Sequence, residues 1–479
     1  MAGSVNATPG FDLQPSAQRV PLKSNYITNF DFLNQYLPDT YEKEFERYGN
    51  RTIASFLRMV GAEMPSNSDL IKWAEQGRLH TKYTDCSTAA IINANEATFA
   101  VGDAGVPAFT ASNSIAIRVG QTVMISDNAG GGSAKAIVTA VDYALKTFDV
   151  AFYDNAGLPV AGAGLKFTVF IYGSEFRKGT EGMAQSLEAD DFIFENSPII
   201  IKDKYAVSGS DMAQIGWVEV TTENGASGYL WYLKSEHETR LRFDDYLETA
   251  MIEAVPAGAA SGAATQVADS NVGNKGSDGI FYVVENRGNI YGGGNPTTLA
   301  EWDTIISRLD KQGAIEENVV FVDRDFSFDI DDMLSKQSSN AAGGVSYGLF
   351  DNEKDMALNL GFTGFRRGYD FYKSDWKYLN DPTMRGGLPT GAGSGKVNGL
   401  LVPAGSTSVY DQILGKNAKR PFLHVRYRAS ETEDRRYKTW ITGSAGGAET
   451  SSLDAMEVHF LSERAVCTLG ANNFFLFQQ

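Results

Sequence analysis

Between Tyr229 and Val255 the sequence keeps helical periodicity without interruption, and few folds have room for such an element. At 1.5 Å per residue it would be ~40 Å long. Ser227 stands where an N-cap belongs and Pro256 stops the run. Leu230, Leu233, His237 and Leu241 lie on one stripe, continued by Phe243, Leu247, Met251 and Ala254. Glu236/Arg240, Glu238/Arg242 and Arg240/Asp244 are opposite charges four residues apart, which support an exposed face. A helix this long with one modest apolar face needs a sheet to pack across. The stretch that follows, from Ala257 to Gly279, is rich in Ala, Gly and Ser and reads as a linker.

Downstream the pattern is α/β as far as about Asn398. Phe281-Tyr-Val-Val reads as a strand, and a helix follows from the capping box Thr298-Leu-Ala-Glu301. Leu299, Trp302, Ile305, Ile306 and Leu309 form the inward face of that helix, and Gly313 ends it. Val319-Val-Phe-Val322 reads as a buried strand and Ser327–Gln337 as a second helix. The last eighty residues return to strands at Phe422–Arg428, Tyr437–Thr442, Glu457–Leu461 and Asn473–Phe477.

Upstream, residues 1–38 show no steady period, contain four prolines and read as an extended arm. Two short helices follow, one opened by Asp39-Thr-Tyr-Glu42 and one carrying Ile53, Phe56, Leu57 and Val60. Residues 86–172 change to period two, at Ile115-Val119, Val123-Ile125, Ile137-Val141, Phe148-Phe152 and Phe167-Tyr172. Asp127-Asn-Ala-Gly-Gly-Gly-Ser133, Ala144–Thr147 and Asp154–Gly157 are the turns between them. Four or five short strands predict a small β-barrel or sandwich inserted between Thr84 and Gly173. Its net charge of −2 favours contact with protein or solvent over a nucleic-acid groove.

Composition removes several classes. With 42 basic and 59 acidic residues, the net charge of −17 repels a phosphate backbone. The 28 Phe, 21 Tyr and 6 Trp exclude disorder for the bulk of the chain. No apolar run approaches the ~18 residues of a membrane span, and the first ten residues lack the pattern of a signal peptide. Two cysteines, Cys86 and Cys467, make no disulfide scaffold, so a reducing cytoplasm is the expected place of folding. Four histidines leave little room for a His-rich metal site, and no metal or cofactor is expected.

Three motifs carry potential chemistry. Asp323-Arg-Asp325 after an apolar strand resembles the carboxylate pair of haloacid-dehalogenase-type phosphatases, in which one acid attacks phosphorus and the other protonates the leaving group. Ser327 departs from that family's pattern, and Asp329, Asp331 and Asp332 suit the start of a helix, where they complement its dipole. A calcium loop from Asp323 fails, because its sixth position is Phe328 and its twelfth Leu334. Gly391-Ala-Gly-Ser-Gly-Lys396 lacks the phosphate loop's first Gly (Thr390) and its final Ser or Thr (Val397), so a surface loop is the better reading. The one basic cluster spans 416–438: Lys416, Lys419, Arg420, Arg426, Arg428, Arg435, Arg436 and Lys438. Alternation puts His424, Arg426 and Arg428 on one strand face. Contact with an acidic neighbouring subunit or enclosed DNA, and a solvated sheet face, both remain open for it. His424 and His459 read as sheet contacts, and no catalytic residue is assigned.

The order of parts resembles the HK97 fold of tailed-phage capsid proteins. More closely, Gly399-Leu-Leu-Val-Pro-Ala-Gly-Ser-Thr-Ser-Val-Tyr410 and Glu457-Val-His-Phe-Leu-Ser-Glu-Arg-Ala-Val-Cys-Thr-Leu-Gly-Ala-Asn-Asn473 resemble the major capsid proteins of crAss-like phages. The resemblance implies an α+β fold with residues 1–60 as an N-terminal arm. Residues 61–85 and 173–195 would be the two limbs of an E-loop, tipped by the β domain 86–172. Residues 196–279, with the spine helix 229–255, and 400–479 would form a peripheral domain, and 280–399 an axial one. The implied function is structural: hexamers and pentamers tiling an icosahedral head around double-stranded DNA, with portal and auxiliary or head-fibre proteins as partners. The place implied is the virion, assembled in the bacterial cytoplasm. The other classes are a phage fibre or surface carbohydrate-binding protein, and a phosphatase using Asp323 and Asp325.

Overall fold

The computed structural model describes residues 62–77, 82–93, 95–101, 115–155, 157–158, 165–186, 191–213, 220–221, 227–228, 231–258, 260–265, 274–313, 315–339, 363–389, 395–411, 416–445 and 450–479. The expected arm and its two short helices lie outside these residues. The rest is mixed helix and strand, in two compact units: residues 74–194, and residues up to 73 together with 195–479.

The first elements among the described residues are β1 (Ala62–Ser66) and β2 (Ile71–Gln76), and a closed six-stranded barrel follows. Its strands are β3 (Lys82–Asn93), β4 (Glu96–Ala100), β5 (Gln121–Asp127), β6 (Ser133–Asp142), β7 (Thr147–Phe152) and β8 (Lys166–Ser174), in the closed order β3-β4-β7-β6-β5-β8. Alternate residues point inward, so Val123, Ile125, Ala136, Val138, Phe148, Val150, Phe167 and Val169 fill the interior. Two of the expected turns are formed: Asp127 carboxylate oxygens accept from the amides of Ala129 and Gly131, and Asp142 Oδ1 accepts from Ala144 and Leu145. The strands β3 and β4 were not expected, and the run at Ile115–Val119 forms no strand. In β3 the register shifts between Tyr83 and Cys86, with Asp85 at φ 58°, so its inward residues sit three apart instead of two. Ile115 and Ile117 do point inward, but residues 115–118 form no ladder.

The second unit holds two larger sheets. After β9 (Asp191–Asn196), which pairs with β2, come β10 (Ile199–Ser208) and the short ladder β11 (Val220–Thr221) and β12 (Ser227–Gly228). The long helix α1 spans Trp231–Glu253, slightly inside its expected limits. Leu230 and the side chain of Leu233 lie outside the described residues. Phe243 and Leu247 are buried against Val207, Met456, Val458 and Phe460. That sheet has the order β1-β20-β22-β10, with β20 (Leu423–Arg428), β21 (Lys438–Gly443) and β22 (Ala455–Thr468); β21 pairs with β22 as well.

The helix α2 (Ile280–Arg287) replaces the strand expected at Phe281–Val284. Ile280, Phe281, Val283 and Val284 are all buried, a helical i, i+1, i+3, i+4 spacing that four apolar residues cannot distinguish from a buried strand. Its start is seated directly on the end of α1: a Cβ at Gly279 would lie 2.6 Å from the Ala254 carbonyl oxygen. Next come β13 (Asn289–Tyr291), α3 (Leu299–Gln312), β14 (Glu317–Val322) and α4 (Arg324–Ser339), then β15 (Gly364–Arg367), β16 (Tyr369–Asp375) and β17 (Val397–Pro403). The capping box of α3 is formed, and Gly313 closes it at φ 77° in the left-handed region. The hairpin β18 (Ser406–Asp411) and β19 (Lys416–Pro421) precedes β20, and β23 (Phe475–Gln478) ends the chain. The second sheet runs β13-β23-β17-β14-β16-β15. Residues 400–479 therefore divide between two sheets instead of returning to one. On β23, Phe475 and Phe477 pack with Trp302, Phe326 and Ile330 beneath α3 and α4, while Leu476 faces the core shared with α2 and β20.

Candidate functional site

The acidic pair after β14 comes apart in space. Asp323 is 3% exposed. Its Oδ1 accepts the Phe326 amide at 2.7 Å, capping α4, and its Oδ2 lies 3.6 Å from Lys396 Nζ. Burial pushes its carboxyl above the ordinary carboxylate range, against the pull of the Phe326 amide and Lys396. Asp325 sits on the exposed face of the helix's first turn. A phosphatase needs both acids on one phosphate, and this geometry offers Asp323 as a buried cap only. The neighbouring acids are anchors more than dipole complements. Asp331 pairs with Lys373 Nζ at 2.6 Å, and Asp329 accepts from Asn295 Nδ2, whose amide oxygen accepts from Asn398 Nδ2, each at 2.7 Å.

Residues 390–394 of the glycine loop lie outside the described residues. Its Lys396 is buried on Asp323 and leads directly into strand β17, where a phosphate loop requires a helix.

The basic cluster meets the chain's own carboxylates. Arg435 Nε lies 2.7 Å from Glu463, Arg428 pairs with Asp69 and, at 3.5 Å, with Glu463, and Arg436 pairs with Glu63. Arg464 Nη1 approaches the same Glu63 at 3.6 Å, and Lys438 pairs with Glu433 at 2.7 Å. These pairs tie β1 and its following turn to β20 and β22. Arg428, Arg435, Arg436 and Lys438 are thus each paired within the chain while still partly exposed, and the side chains of Lys416, Lys419 and Arg420 lie outside the described residues. Sequence reasoning missed Glu63 and Asp69, which stand hundreds of residues from their partners with no local signal. His424 is buried with Nδ1 3.2 Å from the Pro421 carbonyl, and His459 stacks on Trp440 with Nε2 2.7 Å from Thr442 Oγ1. Both are sheet contacts.

A two-stranded ribbon stands out as a surface built for a partner. In β9, the successive residues Phe192 and Ile193 are 59% and 69% exposed, so both faces of the ribbon with β2 show apolar side chains. At its start β2 is anchored, Ile71 being buried with Ala465 and Cys467, whereas Phe192 and Ile193 leave large apolar side chains uncovered. Among the described residues no group of three or more His, Cys, Asp or Glu could hold a metal ion, and no helix is long and apolar enough to cross a membrane.

No protein-family model and no curated protein matches the chain. Solved structures do resemble it. The capsid of a native GTA particle aligns over 93% of this chain and 96% of its own, with 8% identity and a TM-score of 0.39. A structure from Microbacterium phage Oxtober96 covers 92% and 95% at 10% identity and a TM-score of 0.37. One from Gordonia phage Cozz covers 93% and 91% at 9% identity and 0.37. Likeness at this level assigns neither family nor activity.

Proposed function

We propose that the chain is the major capsid protein of a tailed bacteriophage with an HK97-like fold, of the crAss-like group. Copies assemble as hexamers and pentamers into an icosahedral head around double-stranded DNA. The observation that carries this reading is the β2/β9 ribbon with Phe192 and Ile193 bare on both faces, which supports burial of those side chains against another copy. The rest of the layout suits it. The sheet of β1, β20, β22, β10 and β21 with α1 serves as the peripheral domain, the six-stranded sheet with α3 and α4 as the axial domain, and β2/β9 as the base of an E-loop that carries the barrel. The net charge of −17 fits a wall that must not grip its genome. Portal and auxiliary or head-fibre proteins are the expected further partners, and the virion is the place of action.

Negative-stain microscopy of the purified protein tests the reading. Shells or capsomers are the expected result, reduced in a Phe192→Asp/Ile193→Asp variant. Compact monomers under all conditions, or elongated trimers, would overturn it.

A further inference from the structure

The outer surface of the barrel carries an open groove of about 480 Å³, lined by Thr122, Lys135, Tyr153, Tyr172, Ser174 and Glu175. The barrel does not need aromatic rings there, because Phe99, Phe148 and Phe167 already fill its interior. Tyr153 and Tyr172 are nonetheless about half exposed, at 51% and 45%. Phe170 extends the apolar strip along β8, in register with Met124 on β5. The groove residues are held in place. The Tyr153 hydroxyl donates to the Glu175 carboxylate, its amide donates to the Lys135 carbonyl at 3.1 Å, and Lys135 Nζ lies 5.8 Å from the centre of the Tyr172 ring.

Chemistry and shape narrow the occupant. A small apolar ligand needs enclosing walls, and this groove is open. A nucleic acid would meet Glu175 on a region of net negative charge. A peptide strand needs a free sheet edge to pair with, and the barrel is closed. A sugar ring has an apolar C–H face and a rim of hydroxyls that both donate and accept. That matches two half-exposed tyrosine rings, one with the Lys135 ammonium over it, beside the Glu175 carboxylate and the Ser174 hydroxyl. We propose that this groove binds a pyranose saccharide, one ring against the exposed part of Tyr172 beside the Lys135 ammonium, and its hydroxyls met by Glu175, Lys135 and Ser174. The site belongs to the barrel unit alone and does not depend on the shell reading.

The test applies labelled full-length protein to an array of immobilised neutral, amino and uronic pyranose oligosaccharides, then titrates the best binder in solution. Wild type should bind at least one class. Tyr172→Ala and Glu175→Gln should each weaken binding about tenfold, the weight of one good contact, with the thermal transition unchanged. Leu145→Ala, at an exposed turn outside the groove, should bind as wild type does. Should Tyr172→Ala unfold the barrel, Lys135→Met and Glu175→Gln decide: unchanged binding in both overturns the site. Absence of binding to every oligosaccharide overturns it too. So does a wild type that binds no sugar while Tyr172→Ala blocks particle assembly, since the groove is then a protein contact.

Discussion

Asp323 is held from three sides: by the amide it caps, by Lys396, and by an interior that disfavours its charge. Removing it in Asp323→Ala takes away the cap of α4 and leaves Lys396 buried without its carboxylate. A loss of about 2–4 kcal/mol in urea unfolding is expected, against little change for Asp325→Ala. The pH dependence has a definite sign. An acid whose folded pKa is raised contributes stability that is complete below its unfolded value, near 4, and lost as pH rises through the folded value. Wild type should therefore gain on Asp323→Asn as pH falls into the acid range, measured by paired thermal scans; the opposite slope would show that Lys396 dominates. The sequence shows Asp323 as a residue of note, because an acid follows an apolar strand at a helix start. It could not show that the carboxylate turns inward, since Lys396 and Asn398 arrive from a strand that is distant in the chain. Glu63 and Asp69 were invisible for the same reason.

At the scale of elements, α1 packs by Phe243 and Leu247 on the sheet strands β10 and β22. Leu247→Ala should cost about 2–5 kcal/mol through the cavity it leaves. Leu247→Asp adds an unpaired buried charge and should abolish soluble protein; a variant that still behaves as wild type would mean this face of α1 is free. Tyr205 and Tyr437 border the same interface, and burial pushes both hydroxyls up to about 12. Their contribution is complete below pH 10 and lost as pH rises from 10 through about 12. Spectrophotometric titration should show at least two late-ionising tyrosines, and Tyr437→Phe should make the protein less sensitive to alkali. The helices α1, α3 and α4 were legible because each keeps its period over three turns or more. The eight-residue α2 was not: its two valines suit a strand equally well, and tertiary packing against α1 decides.

For the whole molecule, the period-two run and its turns announced an inserted β domain, and the barrel closes on strands of that region. The missed strand β3 escapes because register shifts at Tyr83/Cys86, Thr88/Ala90 and Ile91/Asn93 break the alternation, and β4 because its five residues offer only Ala97 and Phe99 as an inward face. A fragment of residues 82–174 contains all six strands and their core. It should melt cooperatively and give dispersed amide resonances, whereas a random-coil spectrum would show that the barrel leans on the other unit. The two sheets outside it behave differently. The fourteen-residue β22 is flanked by β10 on one edge and by β20 and β21 on the other, and β23 lies between β13 and β17. Both strands lie from Ala455 onward. During synthesis the barrel is complete once residue 174 emerges, but the larger unit must wait for roughly 280 more residues to reach β22, about 14–56 s at usual elongation rates. A chain cut short before Ala455 would leave the first sheet without its central strand and β13 without the partner that joins it to β17, so the larger unit cannot close until the chain has passed β22 and β23.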